Sequence, residues 1–167
     1  MPSDLFLPKL DLDLAYPPFL ERLLKLQAWC RDQGFEYLCT FLFRSPEEQE
    51  ALYQAHLKGG PLAAPGGLSA HNYGLAADVA LIVQKSPKRV VRWDPHDFDK
   101  LAEGCDTFGL AWGGKFNDKD HVGLPGYENA AQLDPLRRIW ESHPDLSVDQ
   151  RLAQVWATLK GGSDAPP

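Results

Sequence analysis

The sequence SAHNYGLAAD at residues 69–78 joins a polar loop to an apolar run. His71 lies in the loop, and Asp78 lies near the beginning of a run from Ala77 to Val83 that is typical of a buried strand. An ionised aspartate in such a strand is costly to desolvate unless a cation or a set of hydrogen bonds stabilises it. Zinc is a suitable cation, since its catalytic sites commonly combine three His, Asp or Glu ligands with a water molecule. His71 and Asp78 are therefore candidate zinc ligands.

A third candidate ligand, His121, follows a polar turn and begins a short apolar segment. Metal-assisted hydrolysis requires a cation that lowers the pKa of bound water toward about 7, and a carboxylate that carries the proton to the leaving amine. Asp118, three residues before His121, is placed to be that carboxylate without binding the metal. Asp120 is the alternative acid/base, although a residue next to a strand ligand is expected to point to the opposite face.

Local signals predict the helices and strands around this stretch. Ser45 and Pro46, with glutamate at position 48, mark the start of a capped helix. The predicted helices span residues 17–34, 45–57, 94–109, 130–142 and 148–160, and the predicted strands span 37–43, 77–83 and 110–112. Residues 59–69 are rich in Gly, Pro and Ala, which predicts a mobile loop, and residues 161–167 are predicted to be a disordered tail.

Composition narrows the class of protein. The 167 residues, 44% hydrophobic and 24% charged, are typical of one soluble globular domain, here predicted over residues 1–160. A net charge of −6 argues against a nucleic-acid binder, and no apolar stretch reaches the ~20 residues that a transmembrane helix needs. The first residues lack the features of a secretory signal, so synthesis in the cytoplasm is expected. A monomer is expected, with its three cysteines as buried reduced thiols.

The sequence of residues 69–78 resembles the S-x-H-x-x-G-x-A-x-D signature of the zinc D-alanyl-D-alanine carboxypeptidase and L-alanyl-D-glutamate endopeptidase family. This family shares its fold with hedgehog signalling domains. Further features occur in the family's order: Phe43-Arg44-Ser45 followed by Gln49 and Tyr53, GLAWGG at residues 109–114, and Asp118-x-x-His121. The resemblance covers about Leu38 to Val122. It implies an α+β fold, with a small mainly antiparallel sheet flanked by helices.

The resemblance also implies roles for particular residues. The implied zinc ligands are His71, Asp78 and His121, with Asp118 as acid/base. Arg44 is implied to contact the substrate or to stabilise the oxyanion, and the implied substrate contacts are Ser69, Gln49, Tyr73 and Trp112.

Alternatives remain for several of these positions. Arg44 alternatively caps the helix or pairs with Glu47 or Glu48, and Trp112 alternatively packs in the core. Val122 and Gly123 follow the last histidine, where family members often have an aromatic residue and then Glu or Gln.

The Trp-Gly-Gly element and the absence of a leader look most like the phage endolysins that cut between L-Ala and D-Glu. Such lysins are made in the cytoplasm and reach the cell wall through a holin. The implied partner is the stem peptide of peptidoglycan, with no membrane insertion. The rival functions are a D-Ala-D-Ala carboxypeptidase or dipeptidase, and a non-catalytic zinc-stabilised binding module. The helical extension at residues 129–160 is expected to pack onto the catalytic core, the alternative being a wall-binding element.

Overall fold

The computed structural model describes residues 3–159, so Lys160 and the tail predicted at residues 161–167 lie outside the described residues. A five-stranded sheet forms its centre, in the order β1-β2-β5-β4, with β3 also paired to β2. Every pairing between these strands is antiparallel, and a single parallel bridge joins Phe6 to Cys39. The strands are β1 Tyr37–Phe41, β2 Ala76–Gln84, β3 Val90–Arg92, β4 Ala111–Trp112 and β5 His121–Gly123. The predicted α+β fold with a mainly antiparallel sheet is confirmed.

Within residues 3–159, five α-helices flank the sheet: α1 Pro17–Asp32, α2 Pro46–Leu57, α3 Asp99–Phe108, α4 Ala130–Glu141 and α5 Val148–Trp156. The start of α2 is the predicted capping box, in which Ser45 Oγ accepts from the Glu48 backbone N–H at 3.1 Å and Glu48 Oε2 accepts from the Ser45 N–H at 3.0 Å. Such reciprocal bonds satisfy two backbone donors that a helix leaves unpaired. A short 3-10 turn, Ala70–Tyr73, lies between α2 and β2.

Two differences from the predicted elements concern strands. β1 ends at Phe41 rather than residue 43, because its register against β2 shifts between Cys39 and Phe41. β3 was not predicted, since Val90 to Arg92 is short and mostly exposed. Its pairing with the outer half of β2, where Val91 lies opposite Ile82, makes it a strand.

The core lies between the sheet and α1, α3, α4 and α5, and it is one cluster of buried apolar side chains. Within α1, Gln27 is the polar member of the buried face, and its side-chain amide donates to the carbonyls of Leu5 and Tyr37 at 3.0 and 2.9 Å. The three cysteines are buried and unpaired, as expected, and burial raises the pKa of the Cys30 thiol to about 12.

The two C-terminal helices belong to this core. Trp140 of α4 is 1% exposed, and Leu152 and Val155 of α5 are completely buried. The Trp156 indole N–H donates to the Tyr73 carbonyl at 2.7 Å, which ties α5 to the end of the 70–73 turn. Among the described residues, no helix has the length and apolar character needed to cross a bilayer.

Candidate metal centre

Two neighbouring strands and one turn bring the three candidate ligands together. Asp78 of β2 lies directly opposite His121 of β5 in the antiparallel ladder. Paired residues of such a ladder place their side chains on the same face, about 4.5–5.5 Å apart at Cβ. The 70–73 turn adds His71, and one ligand atom from each of the three residues lies within 4.8 Å of the others.

The orientation of the His71 ring is fixed by the end of β1. His71 is 6% exposed, and its Nδ1 lies 2.7 Å from the Leu42 carbonyl oxygen. Because a carbonyl can only accept, Nδ1 carries the proton and donates. In the neutral imidazole, which is the form that binds a metal, Nε2 keeps a lone pair, 3.3 Å from Asp78 Oδ1. Histidine ligands of metals characteristically have their second nitrogen held in this way.

The distances from the Asp78 carboxylate to the two imidazoles suit one tetrahedral zinc ion. Asp78 Oδ1 lies 3.3 Å from His71 Nε2 and 3.5 Å from His121 Nδ1. Two ligand atoms bound to tetrahedral zinc at about 2.0–2.1 Å are separated by about 3.3–3.4 Å. The donor set of two imidazoles and one carboxylate is also one that zinc prefers, so these residues fit a zinc site.

The electrostatics of the centre keep its carboxylate ionised. Burial raises the pKa of Asp78, but hydrogen bonds with His121 and His71 and their positive charge outweigh burial and lower it well below its usual range. Burial conversely lowers the pKa of His121, and the hydrogen bond with Asp78 and the surrounding carboxylates raise it overall. An ionised Asp78 is the form that binds a cation.

Asp118 lies beside the ligands and faces the solvent. Its Oδ2 is 3.9 Å from His121 Nδ1, and its side chain is 59% exposed. The turn that carries it is held by the Asp118 N–H, which donates to the Gly113 carbonyl at 2.9 Å. Asp118 is thus near the ligands, and its carboxylate is open to solvent.

Asp120 is half-buried behind Asp118. Its carboxyl lies within hydrogen-bonding reach of Asp118, and burial together with Asp118 and the charge of Asp78 raises its pKa to about 7. The expectation that Asp120 points to the face opposite the strand ligand His121 stays a prediction, and the turn before β5 places its carboxyl close to that of Asp118.

Arg44 leaves the end of β1 and is positioned by neutral groups. Its Nη1 donates to Gln49 Oε1 at 3.1 Å, and its guanidinium carbon lies 4.4 Å from the centre of the Phe41 ring. The alternative of a pair with Glu47 or Glu48 is not observed. Glu48 accepts from the Ser45 N–H, while Glu47 accepts from the Trp140 indole and from Arg151.

Two cavities meet at the metal centre. The one that we name the Arg44 cavity has a volume of about 420 Å³ and is lined by Arg44, Gln49, Leu62 and all three ligands, among others. The one that we name the Trp112 cavity has a volume of about 200 Å³ and is lined mainly by apolar side chains. The residues that line both cavities are Ala64, Ser69, Asp118 and His121. Asp120 is not among the described residues that line either cavity.

The predicted substrate contacts fall into different environments. Ser69 lines both cavities. Trp112 lines the Trp112 cavity, and its indole N–H donates to the Lys119 carbonyl at 2.8 Å. Gln49 lines the Arg44 cavity, but its amide is engaged by Arg44 and by the Ala64 carbonyl.

The prediction for Tyr73 is wrong. Tyr73 is completely buried, its hydroxyl donates to the Gly67 carbonyl at 2.7 Å, and its ring packs edge-on against Trp140. It therefore supports the loop from the core side and does not face the substrate.

Asn72, a residue that was not predicted to belong to the site, is completely buried. Its Oδ1 accepts from the N–H groups of Gly67 and Ser69, both at 3.1 Å, and its Nδ2 donates to the Arg44 carbonyl at 2.9 Å. The amide thereby joins the loop, the ligand turn and the Arg44 segment. The signal available in the sequence was an asparagine three residues after Ser69, the spacing of a capping box.

Comparison with known proteins gives concordant matches. A family model described as D-alanyl-D-alanine carboxypeptidase matches residues 63–123. The chain is 35% identical over 130 residues to the peptidoglycan L-alanyl-D-glutamate endopeptidase CwlK of Bacillus subtilis, covering 66% of this chain and 76% of that protein. The fold is similar to that of the L-Ala D-Glu endopeptidase ChiX of Serratia marcescens, with a TM-score of 0.50, 21% identity, and coverage of 68% of this chain and 82% of that chain.

The matched family region contains the three residues of the metal centre and Asp118. Sequence identity to CwlK extends over most of that protein. The resemblance noted in the sequence is therefore confirmed: the chain belongs to the D-alanyl-D-alanine carboxypeptidase family and is a peptidoglycan metallopeptidase.

Proposed function

We propose that this protein is a zinc-dependent endopeptidase that cleaves between L-Ala and D-Glu in the stem peptide of peptidoglycan. The observation that carries the proposal is the 35% identity to CwlK, an L-alanyl-D-glutamate endopeptidase. His71, Asp78 and His121 would hold the zinc ion. When bound, zinc supplies a water molecule of lowered pKa and polarises the carbonyl of the scissile amide.

Asp118 is the proton carrier in this proposal. Its carboxylate lines both cavities where they meet, so it faces a scissile bond that extends into each of them. Asp118 Oδ2 accepts a proton from the attacking water and delivers it to the leaving amine nitrogen, the general acid/base step.

Arg44 supplies a fixed positive charge on the leaving-group side. D-Glu of the stem peptide bears a free carboxylate on the carbon attached to the scissile nitrogen, and the planar guanidinium is suited to pairing with such a group. The terminal D-Ala of a D-Ala-D-Ala substrate bears the same carboxylate, so Arg44 alone does not distinguish the two bonds. The difference is that D-Glu continues through its side chain to the rest of the stem. The Arg44 cavity, at about 420 Å³, is larger than a single terminal alanine requires.

The peptide bond that is cleaved can be identified by digesting purified muropeptides with the zinc-loaded protein and determining the masses of the products by mass spectrometry. The proposal expects a fragment that begins with D-Glu. Loss of one D-Ala residue would instead establish the carboxypeptidase that the family description favours.

The variant Asp118→Asn tests the mechanism. It should bind zinc as the unmodified protein does and lose about 10²–10⁴-fold in turnover, the usual contribution of a general acid/base. Asp106→Asn is the matched control and should keep full turnover, since it removes an exposed carboxylate that lines neither cavity. Undiminished turnover in Asp118→Asn would refute the assignment, and a zinc-loaded wild-type protein that cuts no muropeptide would point to a non-catalytic module.

A further inference from the structure

We propose that the Trp112 cavity binds the acyl group on the nitrogen of L-Ala, namely the lactyl ether and sugar ring of muramic acid. The enzyme then prefers stem peptides that are still attached to the glycan over free peptides. This inference rests on the proposed function and adds the part of the substrate that lies on the amino side of the scissile bond.

The Arg44 cavity and the Trp112 cavity adjoin at the metal centre. Ser69, Asp118 and His121 line both of them, so the cavities adjoin at the acid/base and at one of the ligands. A peptide whose scissile amide lies at Asp118 has one flank directed into each cavity. Both flanks of the substrate therefore have a place in the structure.

Charge decides which flank enters which cavity. Arg44 lines only the Arg44 cavity, where it can pair with the carboxylate of D-Glu. No lysine or arginine is among the described residues that line the Trp112 cavity, whose acidic side chains are those of Asp118 and Glu128. A carboxylate is repelled there. The amino-side flank, which has no carboxylate, is thus directed into the Trp112 cavity.

The walls of the Trp112 cavity fit a group larger than the methyl of L-Ala. Its volume is about 200 Å³, and its walls include three aromatic side chains, Trp112, Phe116 and Tyr127. Aromatic rings offer a broad apolar face, and a pyranose ring and a lactyl methyl present C–H groups that pack against such a face. An unsubstituted L-Ala would leave these aromatic walls in contact with water, whereas the acyl group of an N-acylated alanine would cover them.

Phe116 is the most exposed of these aromatic residues, with 70% of its surface accessible. It ends the 3-10 turn Gly113–Phe116, and the chain behind it is fixed by the bonds from Asp118 N–H to Gly113 and from the Trp112 indole to Lys119. The Phe116 ring therefore lies at the cavity on a segment of backbone that hydrogen bonds hold in place. A ligand that covers it removes a large apolar surface from water.

The test compares two substrates that differ only in the proposed group. One is a stem tripeptide beginning with free L-Ala, and the other is the same tripeptide N-linked to N-acetylmuramic acid. The zinc-loaded enzyme should cleave the muramyl compound with a kcat/KM higher by about tenfold, chiefly through KM, which corresponds to burial of one aromatic face. Phe116→Ala should reduce that ratio toward one. Trp93→Ala is the matched control, because Trp93 is 53% exposed and lines neither cavity, and it should leave the ratio unchanged.

Equal kcat/KM for the two compounds with the wild-type enzyme would overturn the inference. So would a Phe116→Ala variant that retains the full ratio. If neither compound is cut between L-Ala and D-Glu, the proposed bond fails, but the cavity can still be assessed separately. Calorimetric titration of zinc-loaded Asp118→Asn with both compounds should then give tighter binding of the muramyl compound, and equal affinities would refute the assignment of the cavity.

Discussion

Replacing Gly74, which lies between the ligands His71 and Asp78 in the sequence, by alanine should cause a large loss of stability. It lies in the left-handed region, with φ 68° and ψ 27°. A Cβ at this position would lie 2.2 Å from the Leu14 carbonyl oxygen and 3.0 Å from two further backbone atoms. The left-handed conformation costs about 1–2 kcal/mol for a residue with a Cβ. Displacing the contacted backbone adds about 1–3 kcal/mol, so Gly74→Ala should lower the free energy of unfolding by about 2–5 kcal/mol.

Gly109→Ala provides the matched control. Gly109 has nearly the same conformation, with φ 65° and ψ 43°, but its Cβ would meet only the Arg22 guanidinium, at 3.5 Å. The control should therefore cost only the conformational share, about 1–2 kcal/mol. Urea unfolding of the metal-free proteins measures both, because bound metal would add its own stabilisation. If the two variants lose equal stability, the close approach to Leu14 does not carry the energy assigned to it.

Three further predictions concern buried groups. Cys30 and the other two thiols should resist iodoacetamide at pH 8 in the native protein and react with it in denaturant. The reason is that the thiols are buried, and burial raises the pKa of Cys30 to about 12. Rapid labelling of the native protein, detected by mass spectrometry, would contradict this prediction. Asn72→Ala should lower the free energy of unfolding in urea by at least about 2 kcal/mol, since it leaves several buried backbone groups unpaired. The Asp120 carboxyl, whose pKa rises to about 7 on folding, should make metal-free protein lose stability as the pH rises from about 4 to 7. Asp120→Asn should remove this part of the pH dependence, and identical stability profiles for the two proteins would refute it.

Most helix starts could be predicted because the signals are local. Ser45 and Ser147 each form the capping box that their sequences indicate. β3 could not be predicted in this way. Its three residues have no apolar alternation and are mainly exposed, and they become a strand only because the distant β2 is long enough to pair with them. Pairing between distant segments is not encoded in a short window of sequence.

The site was predictable in its ligands and less so in its surroundings. His71 and Asp78 could be recognised from one short motif, but the motif did not indicate in which direction the Tyr73 side chain points. The 70–73 segment is a tight 3-10 turn, which directs His71 to Asp78 and Tyr73 to the core. The Trp112 cavity was not predicted, because separate turns and loops bring its aromatic walls together.

The pairing of Asp78 with His121 across β2 and β5 makes metal content a measure of correct strand assembly. A slip of one residue between these strands would turn one ligand to the opposite face of the sheet. Misassembled molecules would then lack a site while keeping most of their helices. In a recombinant preparation, the ratio of bound zinc to polypeptide therefore reports the fraction of molecules in the native register, which far-ultraviolet circular dichroism would not resolve.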